Sequence, residues 1–265
     1  MRVAAEITIK ECIDALEEVF PIHRQDTWDN SGLLVGDINT ALTGVLVSVD
    51  ISEDVVHEAI AKKCNLIVAH HPIMFRGVKR LVGTTEEQRI IITAIRHGIA
   101  LYASHTCLDK SAEGTSRTLG DMLGLLDMEV LIPDKEPGIG YGVIGNLRQE
   151  VEKETLMSTL KEKFGCPIVR HNDYNGKIRR IAICTGSGSE FIDEALRQGA
   201  DAYVTGDVKY HQFSQAEKHM LIADIGHYES EECTKLIFLN ILTKKLCIFA
   251  RYIIVSDNTN LIKYY

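Results

Sequence analysis

The chain has few of the features that would set it apart from ordinary globular proteins. Its 265 residues include five prolines and one tryptophan, and the formal net charge is −8. A partner with a phosphate backbone requires a clustered basic face, so this acidic balance argues against nucleic-acid binding. No apolar run approaches the length of a transmembrane helix. Residues 1–20 are acidic and periodic, which predicts an amphipathic helix rather than a signal peptide.

Paired cysteines are also missing. The seven cysteines are scattered, odd in number and never spaced as CxxC. Disulfide frameworks and structural zinc knuckles both depend on such pairing, so the sequence predicts neither. A reducing, cytoplasmic location is the expectation.

The hydrophobic pattern predicts an α/β protein that contains the same unit twice. A strand, a helix and a second strand are predicted at residues 45–50, 53–63 and 66–69, and again at 181–185, 190–198 and 202–205. The pair His70-His71 follows the first unit, and Gly206-Asp207 follows the second at the same spacing. We therefore predict two similar α/β domains, residues 1–130 and 131–265, each with a mixed sheet flanked by helices. The C-terminal strand is expected at a sheet edge, with a possible return to the first domain.

Residues 132–145 contain two prolines and four glycines between the two predicted domains. This composition predicts an inter-domain connection or a turn-rich crossover.

Four predicted strand ends carry side chains that can bind metal ions. In parallel α/β sheets, ligands gather outside the carboxyl ends of the strands. The four sets are His70 with His71, His105 with Asp109, Asp207 with His211, and His227 with Glu231. Imidazole and carboxylate together suit zinc, iron, manganese or a similar divalent ion. The spacing of four places His227 and Glu231, and likewise His105 and Asp109, on one face where that turn is helical.

Each of these residues also has a structural interpretation. A single histidine is more often a hydrogen-bonded structural residue than a ligand, whereas an adjacent pair at a strand end favours metal binding more strongly. Cys107 is interpreted as a small buried neighbour. Residues 185–189 (TGSGS) form either an anion-binding turn or, more simply, a tight strand–helix turn. The loop around Trp28 is either a capped turn with an aromatic anchor or a wall that faces a substrate.

Six segments of the chain resemble, in order, the motifs of the Nif-three-like family, whose members are often named GTP cyclohydrolase 1 type 2 homologues. The segments are WDNSGLLVG, LIVAHHPIMF, YASHTCLD, AICTGSGSEFIDEA, DAYVTGD and GHYESE. The resemblance runs along nearly the whole chain, and the ordered set is far more specific than any single motif.

The resemblance implies a two-domain protein that assembles into a ring-shaped homohexamer with dinuclear metal sites. Carried over position by position, the implied metal ligands are His70, His71, Asp109, His227 and Glu231, with Glu231 bridging the two ions. It also implies two divalent ions per subunit, chosen among zinc, iron, manganese and magnesium, and a histidine close to the site at His105. The family usually has asparagine where Cys107 stands.

Two functions are compatible with this pattern. The first is a metal-dependent hydrolase acting on a nucleotide such as GTP, in which His105 is the catalytic residue that moves a proton. The second is a non-catalytic metal-binding ring with a regulatory or partner-binding role. A membrane partner is not expected.

Overall fold

The computed structural model describes residues 7–258 and 260–265, apart from the side chains of residues 248 and 250. Its strands are β1 Gly32–Val35, β2 Val45–Ser48, β3 Leu66–Ala69, β4 Ala100–Ala103, β5 Leu126–Pro133, β6 Gly140–Val151, β7 Arg170–His171, β8 Ile178–Ile183, β9 Ala202–Thr205, β10 Leu221–Asp224 and β11 Ile253–Val255. Its α-helices are α1 Ile9–Glu17, α2 Glu53–Ala61, α3 Glu86–Arg96, α4 Thr106–Asp109, α5 Thr115–Leu123, α6 Lys153–Phe164, α7 Ile192–Arg197, α8 His227–Glu231 and α9 Cys233–Lys245. Residues 1–6 of the predicted N-terminal helix lie outside the described residues.

The first sheet has the strand order β1-β4-β3-β2-β11. Strands β4, β3, β2 and β11 run parallel, and β1 pairs antiparallel with β4. Every residue of β2, β3 and β4 is buried, as expected for a sheet covered by helices on both faces. The helix α2 begins after Ser52, whose side chain accepts a hydrogen bond from the amide of Val55. Its Val56 and Ala59 pack in one cluster with Ile67 of the central strand.

The second sheet has the order β5-β6-β8-β9-β10-β7. Strands β8, β9 and β10 are parallel, whereas β5, β6 and β7 are antiparallel to their neighbours. Ile192 and Ala195 of α7 are fully buried against Tyr203 of β9. Both sheets are thus mixed and flanked by helices, which confirms the predicted fold class.

The glycine-rich segment between the two repeats is a β-hairpin, so the prediction of a connection or crossover at residues 132–145 is wrong. Strand β5 ends at Pro133, and β6 begins at Gly140 with its residues paired antiparallel to β5. Gly140 has a φ of +154°, and a Cβ atom there would collide with the carbonyl of Ile132. The glycines allow the two backbones to approach closely, and their turn-like composition concealed the strands.

The chain forms two compact units. In the described residues, the first comprises 7–108 and 234–258, and the second comprises 109–233 and 260–265. This division differs from the predicted halves at 1–130 and 131–265. The C-terminal part of the chain belongs to the first unit because β11 pairs in parallel with β2, with Ile253 opposite Val45. The C-terminal strand therefore lies at the edge of the first sheet. Asp109, which the sequence placed in the first half, belongs to the second unit.

Over the described part of the chain, no helix has both the length and the apolarity that crossing a membrane requires.

Candidate metal centre

Three histidines converge at the carboxyl ends of β3 and β4 in the first unit. His70 and His71 follow β3 directly, and their amides both donate to the carbonyl of Val49 at 3.0 Å. His105 follows β4 by two residues. The ring centroids of His70 lie 4.9 Å from His71 and 5.1 Å from His105. One ring nitrogen from each of the three lies within 4.8 Å of the other two, which makes this a group that could bind a metal ion.

Each of these rings is held through its Nδ1 atom. The distances are 3.0 Å from His70 to the carbonyl oxygen of Ser104, 2.8 Å from His71 to Asp50 Oδ1, and 2.9 Å from His105 to Asp29 Oδ1. A carbonyl or carboxylate oxygen only accepts hydrogen bonds, so these partners assign the proton of each neutral ring to Nδ1. The lone pair then lies on Nε2. Histidines that bind metals are held in this way, because the outer partner fixes both the tautomer and the ring orientation.

Asp29 is the most heavily hydrogen-bonded of these partners. Its side chain is fully buried and accepts hydrogen bonds from His105, from the amide of Thr106 at 3.0 Å and from the hydroxyl of Thr106 at 2.5 Å. Burial raises its pKa, but the hydrogen bonds from His105 and Thr106 outweigh burial and lower the pKa well below its usual range. Asp29 is therefore a fixed negative charge behind His105.

The second unit presents a histidine between two carboxylates. His227 is the first residue of α8, just after β10, and its Nε2 lies 3.0 Å from Glu231 Oε2. Its Nδ1 lies 2.7 Å from Oδ2 of Asp207, which follows β9. The predicted facing of His227 and Glu231 across one helical turn is thus confirmed. Glu229 points elsewhere and accepts hydrogen bonds from Asn260 at 2.9 Å and from Tyr264 at 3.0 Å.

The electrostatics at His227 favour a positive charge. Burial alone would lower its pKa, but hydrogen bonds to Asp207 and Glu231 outweigh burial and raise the pKa to about 11. The pKa of Asp207 is lowered by its hydrogen bond with His227, against a smaller opposing effect of burial. The two carboxylates next to His227 favour a cationic partner, and a divalent cation would supply the same charge complementarity.

Asp109 lies in the second unit beside the glycine-containing turn after β8. It accepts a hydrogen bond from the hydroxyl of Thr115 at 2.9 Å, and that hydroxyl lies 2.6 Å from the hydroxyl of Thr185. In the turn itself, the amide of Thr185 donates to Ser116 at 3.1 Å, and the amide of Gly186 donates to Ser230 at 2.8 Å. These amides are used within the protein. The segment 185–189 is thus a tight turn between β8 and α7 whose first two amides already bond to the protein's own side chains.

Gly186 has a second role. Its φ is +64°, and a Cβ atom at this position would lie much closer to Glu231 Oε1 than real Cβ atoms come to a neighbour. The missing side chain makes the room in which the Glu231 carboxylate lies.

The structure thus groups His70, His71 and His105 in the first unit and pairs His227 with Glu231 in the second. The roles assigned to these residues and to Asp109 stay predictions. Sequence reasoning missed that Asp29, Asp50 and Asp207 orient the imidazole rings and that Gly186 makes room for Glu231. Asp207 was named at its strand end but was grouped with His211, and Asp50 could have been found because it is the last residue of a predicted strand. Asp29 gave no comparable signal, since its partner is 76 residues away.

Comparison with known proteins places these features in a family. The family model described as Duf34/NIF3 (NGG1p interacting factor 3) matches residues 7–260. A protein of Campylobacter jejuni named GTP cyclohydrolase 1 type 2 homolog is 33% identical over 259 residues, which cover 97% of this chain and 99% of that protein. A protein of Clostridium acetobutylicum with the same name is 33% identical over 231 residues, which cover 85% of each chain. Among solved structures, a hypothetical protein of Staphylococcus aureus is similar with a TM-score of 0.90 and 29% identity, covering 97% of this chain and 99% of the other.

Proposed function

Because the chain belongs to the Duf34/NIF3 family, we propose that it is a dinuclear divalent-metal-binding protein that acts as a metal-dependent hydrolase on a nucleotide, in the manner of a GTP cyclohydrolase. One observation carries the metal-binding part. The Nδ1 atoms of His70, His71 and His105 are each held by a carbonyl or carboxylate oxygen, so that Nε2 is the nitrogen presented to a ligand. The curated relatives named GTP cyclohydrolase 1 type 2 homolog support the hydrolytic part.

We propose five ligands, the ones that the family resemblance implies: His70 and His71 from the first unit, and Asp109, His227 and Glu231 from the second. Their chemistry fits divalent ions, since imidazole nitrogens and carboxylate oxygens suit zinc, iron and manganese, and carboxylates also suit magnesium. The two carboxylates of the set, Asp109 and Glu231, offset part of the charge of two divalent cations, and Glu231 is proposed to bridge them. Anomalous scattering at the metal edges tests the set. Two peaks with all five side chains as ligands are expected, and peaks confined to one unit would contradict it.

His105 is proposed to move the proton. When bound, the ions would polarise a substrate oxygen and lower the pKa of a water molecule. The chain itself supplies an imidazole whose Nδ1 side is fixed by the buried Asp29, so that Nε2 is the atom that accepts or releases the proton. The lowered pKa of Asp29 keeps this carboxylate ionised, so it remains a hydrogen-bond acceptor that holds the His105 ring in one orientation.

Turnover by matched variants tests the proposed activity. We expect metal-loaded protein to convert GTP, whereas His70→Ala and Glu231→Ala lose both bound metal and product. His57→Ala is the control, because His57 lies exposed on α2 and should keep both properties. Equal product from all four proteins would refute the hydrolase.

The alternative is a non-catalytic metal-binding ring. The position of His227 between Asp207 and Glu231 is compatible with it, because a cation bound there would stabilise the fold whether or not any substrate is turned over. We propose a homohexamer in either case. Light scattering coupled to size exclusion tests this assembly, and chelation that lowers the melting temperature without any detectable turnover would favour the alternative.

A further inference from the structure

Two large aromatic side chains stand exposed beside the histidine cluster of the first unit. Trp28 is 58% exposed and Phe75 is 49% exposed. Their ring centroids lie 5.8 Å and 5.7 Å from the ring of His105, each in an edge-on arrangement. Aromatic rings of this size are usually buried, so a pair left in solvent next to candidate ligands needs an explanation.

Hydrogen bonds connect the loop of Trp28 to the loop of Phe75 and to the backbone of His105. The side-chain amide of Asn30 donates to the carbonyl of Met74 at 2.7 Å, which ties the loop of Trp28 to the loop of Phe75. Ser31 accepts a hydrogen bond from the amide of His105 at 3.0 Å. The positions of the two rings relative to His105 are therefore built into the fold.

The two rings form one surface rather than a slot. Their centroids are 6.2 Å apart and their planes are inclined by 35°. A sandwiched ring would need two parallel walls about 7 Å apart, so no third ring fits between them. A planar ligand would instead stack on the solvent-facing side of the pair. We call Trp28 and Phe75 the aromatic platform.

The loop that carries Phe75 is also basic. Arg76, Lys79 and Arg80 are exposed, and residues 73–85 contain no acidic side chain, although the whole chain has a net charge of −8. A ligand that stacks on the platform and carries negative charge would find its counter-charges on the same loop.

We propose that the aromatic platform binds the nitrogen heterocycle of a mononucleotide, with the phosphate directed to the basic loop. Base–aromatic stacking requires no particular hydrogen-bond pattern and is strengthened by cationic neighbours. This inference deepens the proposed function and rests on it, because the platform would place the nucleotide next to His105. It makes Trp28 and Phe75 binding residues and assigns them no chemical step.

Trp28 is the only tryptophan in the chain, so its fluorescence reports on the platform alone. Metal-loaded protein is titrated with guanosine 5′-monophosphate and, separately, with ribose 5-phosphate, and inner-filter effects are corrected with N-acetyltryptophanamide. We expect saturable quenching by the nucleotide only, and calorimetric binding at least about tenfold tighter for the nucleotide than for the sugar phosphate. Equal affinity for the two ligands would overturn the proposal.

Variants separate the platform from the metal centre. Phe75→Leu should weaken nucleotide binding about tenfold and leave the zinc content unchanged, whereas Tyr210→Leu, at an exposed tyrosine of the second unit, should change neither. Unchanged nucleotide affinity in Phe75→Leu overturns the proposal. If the oligomer mass of that variant also changes, the platform is a contact between subunits instead. If the parent protein fails to bind zinc, the proposed function is refuted instead. Zinc content is measured separately from tryptophan fluorescence, so the two failures can be told apart.

Discussion

Replacing Gly186 with alanine should disturb the second unit through one side chain, that of Glu231. The φ of +64° at Gly186 imposes a backbone penalty on alanine of about 1–2 kcal/mol. The new Cβ atom would also overlap Oε1 of Glu231, whose side chain is only 4% exposed and has little room to retreat. Overpacking of this kind costs about 1–3 kcal/mol.

Gly165 provides the matched control for this substitution. It also has a φ of +64°, but no heavy atom lies within 4 Å of the position that its Cβ would occupy. Gly165→Ala should therefore lose stability through the backbone penalty alone. The difference in the free energy of unfolding between the two variants isolates the effect on Glu231.

Urea unfolding of the two variants measures this difference, and zinc titration calorimetry measures its consequence. We expect Gly186→Ala to be less stable than Gly165→Ala by about 1–3 kcal/mol. Zinc affinity should fall about 10- to 100-fold in Gly186→Ala only, because Glu231 leaves its position next to His227. If the two variants agree within about 0.5 kcal/mol and bind zinc equally, the assigned role of Gly186 is refuted.

Three further predictions concern the first unit and the bound metal. Asp29→Asn should lower the free energy of unfolding by about 2–4 kcal/mol in urea, because it breaks a buried network, and a stability equal to the parent's would contradict this. Glu58 is partly buried, which raises its pKa, but hydrogen bonds from Lys62, Ser256, Asp257 and Asn258 outweigh burial and lower the pKa to about 2. Because the folded pKa is depressed, Glu58→Gln should cost about 1–2 kcal/mol at pH 7, and the gap between variant and parent should narrow as the pH falls from about 4 toward 2. Zinc at 100 times its dissociation constant should raise the free energy of unfolding by about 2.7 kcal/mol, measured by calorimetry. Adding a chelator should abolish this increase in stability.

The strands and helices with a clear hydrophobic period could be predicted from the sequence. The buried runs of β3 and β9 were predicted at their observed bounds, because short apolar runs of β-branched residues next to a helical pattern have few alternatives. The hairpin of β5 and β6 could not be predicted, because the segment around Gly140 has the composition of a turn. In the structure the glycine instead allows two paired strands to approach closely. The C-terminal strand lies at the edge of the first sheet, in line with the expected return to the first domain. Its partner β2 was not predicted, because the paired residues are about 200 positions apart.

The sequence by itself determined the fold class and the histidines at the strand ends, because these depend on local periodicity and on residue type. The tertiary structure decided which acceptor each imidazole has. Asp29 reaches His105 from 76 residues away and Asp50 reaches His71 from 21, and no local spacing encodes either contact. It also decided that Gly186 makes room for Glu231, and that Trp28 and Phe75 meet beside His105, since packing between distant segments sets these distances.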